Sequence, residues 1–199
     1  MKIIRKIAIL GLASLASLTQ FQVLADGDNG NKAYEIDETT FSCINDMSRV
    51  RGFFVDNLDK SALDKTLSVA NKGTGEYPAG SVVQLVPTEV MVKHPKGTSP
   101  ATNDWEFFEL AVSPQGSKFT ARGFTEVKNR FGGNCLDCHK KAKPEFDLIC
   151  ETGHGCDPIP ITKEMIAVTQ KTDPRCGVMP TLNDKEKVIL KQLKAAFGG

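Results

Sequence analysis

Residues 81–124 contain, in order, Ser81-Val-Val-Gln-Leu-Val86, Glu89-Val-Met-Val-Lys93, Trp105-Glu-Phe-Phe-Glu-Leu-Ala-Val112 and Lys118-Phe-Thr-Ala-Arg-Gly-Phe124. These are short runs rich in β-branched and aromatic residues, and turn signals lie around them at Pro78-Ala-Gly80, Pro95-Lys-Gly97 and Pro114-Gln-Gly116. That composition and spacing predict four strands, and short connections make an antiparallel sheet the simplest way to pair them. Upstream, from Glu38 to Asn71, Phe41, Ile44, Met47, Phe54, Leu58, Leu63 and Leu67 keep an approximate helical spacing. This predicts two helices, divided at Gly52 and at residues 57–61 and ended by Lys72-Gly-Thr-Gly75. The expected class is therefore α+β: N-terminal helices, an antiparallel sheet, then helices to the end of the chain.

Just past the sheet stands Cys135-Leu-Asp-Cys-His139. A C-x-x-C-H pentad reads as a site of covalent haem attachment, and with six cysteines and three histidines in 199 residues composition alone produces one with a probability of about 0.003. If residues 133–142 are helical, Cys135, Cys138 and His139 leave one face. Two thiols there bond the two vinyl groups of one porphyrin, and the imidazole reaches the iron. One motif implies one haem c. Three other readings compete: a zinc site of Cys135, Cys138, Cys150 and Cys156; a redox-active C-x-x-C, which lacks the βαβ setting expected for it; and a merely structural pair.

The N-terminus bears on the compartment. Residues 1–25 carry Lys2, Arg5 and Lys6, an apolar run from Ile7 to Leu18, and Val23-Leu-Ala25, the pattern of a cleaved secretory signal. The apolar run is too short to span a membrane, and no other stretch is long enough. Localisation is expected to be periplasmic, where disulfides persist. Loss of the three basic residues takes the formal charge from +1 to −2, which argues against nucleic acid as a partner, since that demands a strongly basic face. Residues 26–37 are expected to be a flexible segment and 38–199 a single domain, with a core at 77–150 and an extension at 151–199.

The remaining cysteines are Cys43, Cys150, Cys156 and Cys176. Three pairings are possible. The favoured one joins Cys150 to Cys156 around a turn-rich loop and Cys43 to Cys176 across the domain, the longer closure stabilising by ~4 kcal/mol. Beyond the motif the chain predicts a disturbance at Pro144, a short helix at 162–170, and an amphipathic helix from Asn183 to Phe197 ended by Gly198.

At Cys135, Cys138 and His139 the chain resembles the c-type cytochromes. Its order of elements is closer to the cytochrome P460 and cytochrome c′-beta group, which place an antiparallel sheet before a C-x-x-C-H. That resemblance covers residues 77–147: Tyr77-Pro-Ala-Gly-Ser81, the Trp105 strand, the Gly123 strand, and Asn134-Cys-x-x-Cys-His139 followed by Phe146-Asp147. It implies a haem protein that oxidises a small nitrogen compound or binds a diatomic gas. It also directs attention to Lys93 as a counterpart of the lysine that P460 enzymes cross-link to porphyrin, the plainer reading of Lys93 being a solvated lysine at a strand end. A second resemblance lies in Gly177-Val-Met-Pro-Thr-Leu-Asn-Asp-Lys-Glu186 and the helix after it, which look like the Met-Pro segment of class I cytochromes c and imply Met179 as sixth iron ligand.

His154, Met91 and His94 compete with Met179 for that position. Left vacant, with Phe107, Phe108 or Phe119 facing it, the iron takes a small ligand, and Glu106 or Glu109 serves proton transfer. The sequence favours electron transfer over enzymatic activity, with a periplasmic redox protein as partner. Lys128, Arg130, Lys140, Lys141 and Lys143 bracket the motif either as a steering ring for that partner or as a solvated face.

Overall fold

A computed structural model describes residues 32–197. The signal-like residues 1–25, the start of the 26–37 segment and the helix stop at Gly198 lie outside the described residues. The architecture is α+β. Six strands form one antiparallel meander in the order β1 to β6: β1 Ser48–Val50, β2 Phe53–Asn57, β3 Ser81–Val86, β4 Glu89–Lys93, β5 Trp105–Ser113 and β6 Gly116–Gly123. Among the described residues four α-helices accompany them: α1 Leu63–Lys72 before β3, and α2 Cys135–His139, α3 Lys163–Lys171 and α4 Asp184–Phe197 after the sheet. No helix among the described residues is long and apolar enough to cross a membrane.

The four strands expected at 81–124 form where their composition places them. The expected first helix does not. Residues 38–40 and 44–46 are single 3₁₀ turns, and 48–57 is a β-hairpin. Val50 pairs with Phe53 across the two-residue turn Arg51-Gly52, and Arg51 holds φ at 52°. A turn of this length favours positive φ because its twist then matches that of the strands. The Phe53-Phe-Val55 run is buried on both faces, and a continuous apolar run of that kind is ambiguous between helix and strand by spacing alone. The second expected helix survives as α1, which ends on Gly73 at φ 75°, whose N–H reaches the carbonyls of Val69 and Ala70.

Alternation divides the sheet into two faces. Val55, Val83, Met91 and Phe107 are successive register partners on one face. There they pack with Val50, Tyr77, Trp105, Val127 and Ile149, and the partly buried Cys135, Leu136 and Leu148 complete the cluster. On the other face Val82, Val90, Val92, Phe108 and Leu110 pack with Ile36 and Phe41. Each such side chain, fully buried, stabilises by about 1.5–3 kcal/mol.

The segment expected to be flexible through residue 37 is docked in its described part. The Tyr34 N–H donates to His94 Nδ1, Arg122 donates to the Ile36 carbonyl, and Ile36 is buried. Disulfides join Cys43 to Cys176 and Cys150 to Cys156. Beside the first, Asp173 accepts from the Ile44 N–H, and Arg175 reaches Asp173, Ser117 and the Phe41 carbonyl. The C-terminal extension is thereby pinned to the face that does not carry the motif. Gln170 of α3 donates to the carbonyls of Gly52 and Leu85, and α4 joins α3 through Lys171 and Glu186.

Candidate functional site

The start of the motif helix is set by specific partners. Asn134 caps α2, its side-chain oxygen accepting from the Asp137 N–H at 2.9 Å while its amide donates to the Thr125 carbonyl. The Cys135 N–H reaches the Val127 carbonyl at 3.0 Å, which ties the first turn to the chain leaving β6. The expected span of 133–142 is reduced to Cys135–His139, yet the i,i+3 and i,i+4 relations that bring both thiols and the imidazole to one side are kept.

His139 is half-buried beside Phe107, the ring centroids 5.3 Å apart. Its Nδ1 lies 2.6 Å from the Leu148 carbonyl oxygen. A carbonyl only accepts, so Nδ1 carries the proton and Nε2 keeps its lone pair. Burial lowers the pKa of the ring, opposed in part by the Leu148 hydrogen bond, so the imidazole is held in its ligating, neutral form. This is the arrangement that orients a histidine toward a metal.

Cys135 and Cys138 are the cysteines outside the disulfides. Burial, reinforced by the charges of Glu89 and Glu109, pushes the Cys135 thiol up to about 12, and burial raises Cys138 as well. A redox-active C-x-x-C depends on a lowered thiol pKa, and burial here moves both thiols in the other direction. The four-cysteine zinc alternative loses two ligands to the Cys150–Cys156 bridge. The donor set that remains is two protonated thiols and one neutral imidazole against an apolar wall of Met91, Phe107, Val127 and Leu136. It fits a covalently held porphyrin.

The sheet face beside the motif also carries two carboxylates. Glu89 and Glu109 are direct cross-strand partners on β4 and β5. Glu109 receives Arg130 Nε on one oxygen at 3.0 Å, while its other oxygen and Oε1 of Glu89 are buried without a partner. Burial, then the neighbouring Glu109 charge, pushes Glu89 up to about 7, and burial raises Glu109. Glu109 was legible in the sequence as a candidate; Glu89 was missed, although the period of β4 aligned with β5 points to it. Glu106, the other candidate, stands on the opposite face, held by His94 Nε2 at 2.8 Å and by Arg122. Phe108 and Phe119 also belong to that face, which leaves Phe107 as the phenylalanine of the three beside the motif.

Among the candidate sixth ligands, His94 has both nitrogens engaged: Nδ1 accepts from the Tyr34 N–H, so Nε2–H donates to Glu106. His154 donates through Nδ1 to the Ile149 carbonyl at 2.7 Å and stacks on Phe146 at 3.7 Å. Gly155, at φ 110°, lets this loop approach the end of the motif segment, where a Cβ would sit 2.7 Å from the Lys141 carbonyl. Met179 is 61% exposed, three residues beyond the Cys176 bridge that leads to the other face. Met91 is buried on the motif face as the cross-strand partner of Phe107.

Lys93 is not a solvated strand-end lysine. It is 3% exposed, and its ammonium pairs with both oxygens of Asp147 at 2.8 Å. In the basic ring, Arg130 is paired with Glu109, Lys140 with Asp137 and Lys141 with Asp157, while Lys128 and Lys143 are exposed. Compared with models of protein families, with curated proteins and with solved structures, the chain matches none.

Proposed function

We propose that the chain is a monohaem c-type protein of the periplasm, bonding its porphyrin through Cys135 and Cys138, ligating the iron through His139 Nε2, and passing electrons to a periplasmic redox partner. The observation that carries this reading is the Leu148 carbonyl on His139 Nδ1, beside the two cysteines that the disulfides leave as thiols. A bound haem supplies a one-electron couple whose potential depends on the axial ligands and their hydrogen bonds. The protein's own contribution is to orient the imidazole, hold it neutral and keep water from the Met91–Phe107 wall. The signal-like N-terminus and the two bridges support the compartment.

A second reading, redox chemistry on a small nitrogen compound, is favoured by Glu89 and Glu109, whose unpartnered oxygens lie on the face beside the motif. A carboxyl titrating near neutrality suits proton exchange with such a substrate. The order of sheet then motif also supports the resemblance to the P460 and c′-beta group.

Absorption spectra of the purified protein, oxidised and reduced, with and without carbon monoxide, test both readings. A narrow α-band unmoved by the gas is expected for two protein ligands and electron transfer. A broad high-spin spectrum that shifts on gas addition selects the second reading, and a protein purified without haem refutes both.

A further inference from the structure

Asp147 and Leu148 both adopt left-handed backbone, at φ 47° and 63°. Neither is glycine, and for a leucine this conformation is a true outlier that persists only where surrounding contacts over-determine it. The contacts are unusually dense. Asp147 receives Lys93 on both carboxylate oxygens, the Tyr77 N–H at 2.9 Å and the Asn103 amide at 3.4 Å. Its own carbonyl accepts the Trp105 indole N–H at 2.9 Å. Three consecutive carbonyls, of residues 147, 148 and 149, thus receive three ring nitrogens, from Trp105, His139 and His154. The middle one belongs to the histidine of the motif.

We propose that the buried Lys93–Asp147 pair, together with the Trp105 indole on the Asp147 carbonyl, is a positioning device for His139, holding the Asp147–Leu148 corner in its left-handed form and thereby keeping the Leu148 carbonyl on His139 Nδ1. The proposal rests on the haem reading above. Lys93, on this account, is committed to Asp147 and acts on the iron ligand through the backbone, not by bonding to porphyrin. The strain at Leu148 is what makes a clamp necessary: released from Asp147, residues 147 and 148 relax toward negative φ, and the carbonyl turns away from the imidazole.

Charge and position predict opposite signs, which makes the test decisive. A carbonyl on Nδ1–H strengthens the imidazole as a donor and favours oxidised iron, so loss of that hydrogen bond raises the reduction potential. Lys93→Met removes a positive charge and leaves Asp147 unpaired, which by electrostatics alone lowers the potential. The experiment measures the potential and the ferric electron paramagnetic resonance spectrum of the haem-bearing protein for wild type, Lys93→Met, Lys93→Arg and Trp105→Phe.

The expected result is a raised potential with altered g-values in Lys93→Met, return toward wild type in Lys93→Arg, and a shift of the same sign in the charge-neutral Trp105→Phe. A lowered or unchanged potential in Lys93→Met, or an unchanged Trp105→Phe, overturns the proposal. Should Lys93→Met fail to accumulate with haem, Trp105→Phe decides alone. Wild-type protein without covalent haem overturns the haem reading and this inference together, whereas haem-bearing variants that are insensitive overturn only the inference.

Discussion

Glu89 and Glu109 face one another across β4 and β5, and burial moves the Glu89 carboxyl from 4.5 to about 7. Between those values the folded chain keeps a proton that the unfolded chain has released, so stability falls as pH rises through the window and levels off above it. The loss attributable to Glu89 is at most about 3 kcal/mol. Glu89→Gln is expected to flatten that dependence and to be more stable than wild type at pH 8, as read by urea unfolding at pH 5 and pH 8; an identical loss in both proteins contradicts the assignment. On the proposed haem reading, replacing Cys135 or Cys138 by Ala is expected to weaken covalent attachment, and replacing both to abolish it. Haem staining of denaturing gels checks this, and staining that persists in the double variant refutes the central reading. These residues differ in how openly the sequence announces them. Cys135, Cys138 and His139 announce themselves because their chemistry is local, whereas Glu89 acquires its role only from the register that sets it opposite Glu109.

At the level of elements, the runs rich in β-branched and aromatic residues between proline–glycine turns formed strands as expected, while 48–57 did not form the expected helix. Its helical spacing of Met47, Phe54 and Leu58 is real, but the turn Arg51-Gly52 and the doubly buried run Phe53-Phe-Val55 prevail once β3 offers Val83 and Gln84 as partners. Pairing with a strand so far along the chain is a tertiary effect that no local window contains. The two bridges differ in the same sense. Cys43–Cys176 closes a separation of 133 residues and Cys150–Cys156 one of 6. In the chain-entropy account the first stabilises by about 5 kcal/mol and the second by about 2 kcal/mol. Urea titration of Cys43→Ser/Cys176→Ser and Cys150→Ser/Cys156→Ser is expected to rank them in that order; the reverse ranking shows that the short loop is held by more than its bridge.

For the whole molecule the sheet is a partition with unlike sides. The Phe107 side meets the motif; the Phe108 side is closed by Ile36, Phe41 and the segment carrying Arg175. Phe108→Ala is expected to destabilise by about 3–5 kcal/mol and leave the haem absorption unchanged, whereas Phe107→Ala alters the absorption as well. Equal spectra for the two variants argue against the partition. The same closure bears on the order in which the bridges can form. The cysteines run in the order Cys43, Cys135, Cys138, Cys150, Cys156 and Cys176, so a chain threaded out amino end first presents Cys43 with the two motif thiols before Cys176 has arrived. In the folded chain the hydrogen bond from the Ile44 N–H to Asp173 lies beside the Cys43–Cys176 bridge. On the proposed haem reading, an oxidant quicker than the fold would trap Cys43 on the motif and spend the thiols that the porphyrin needs.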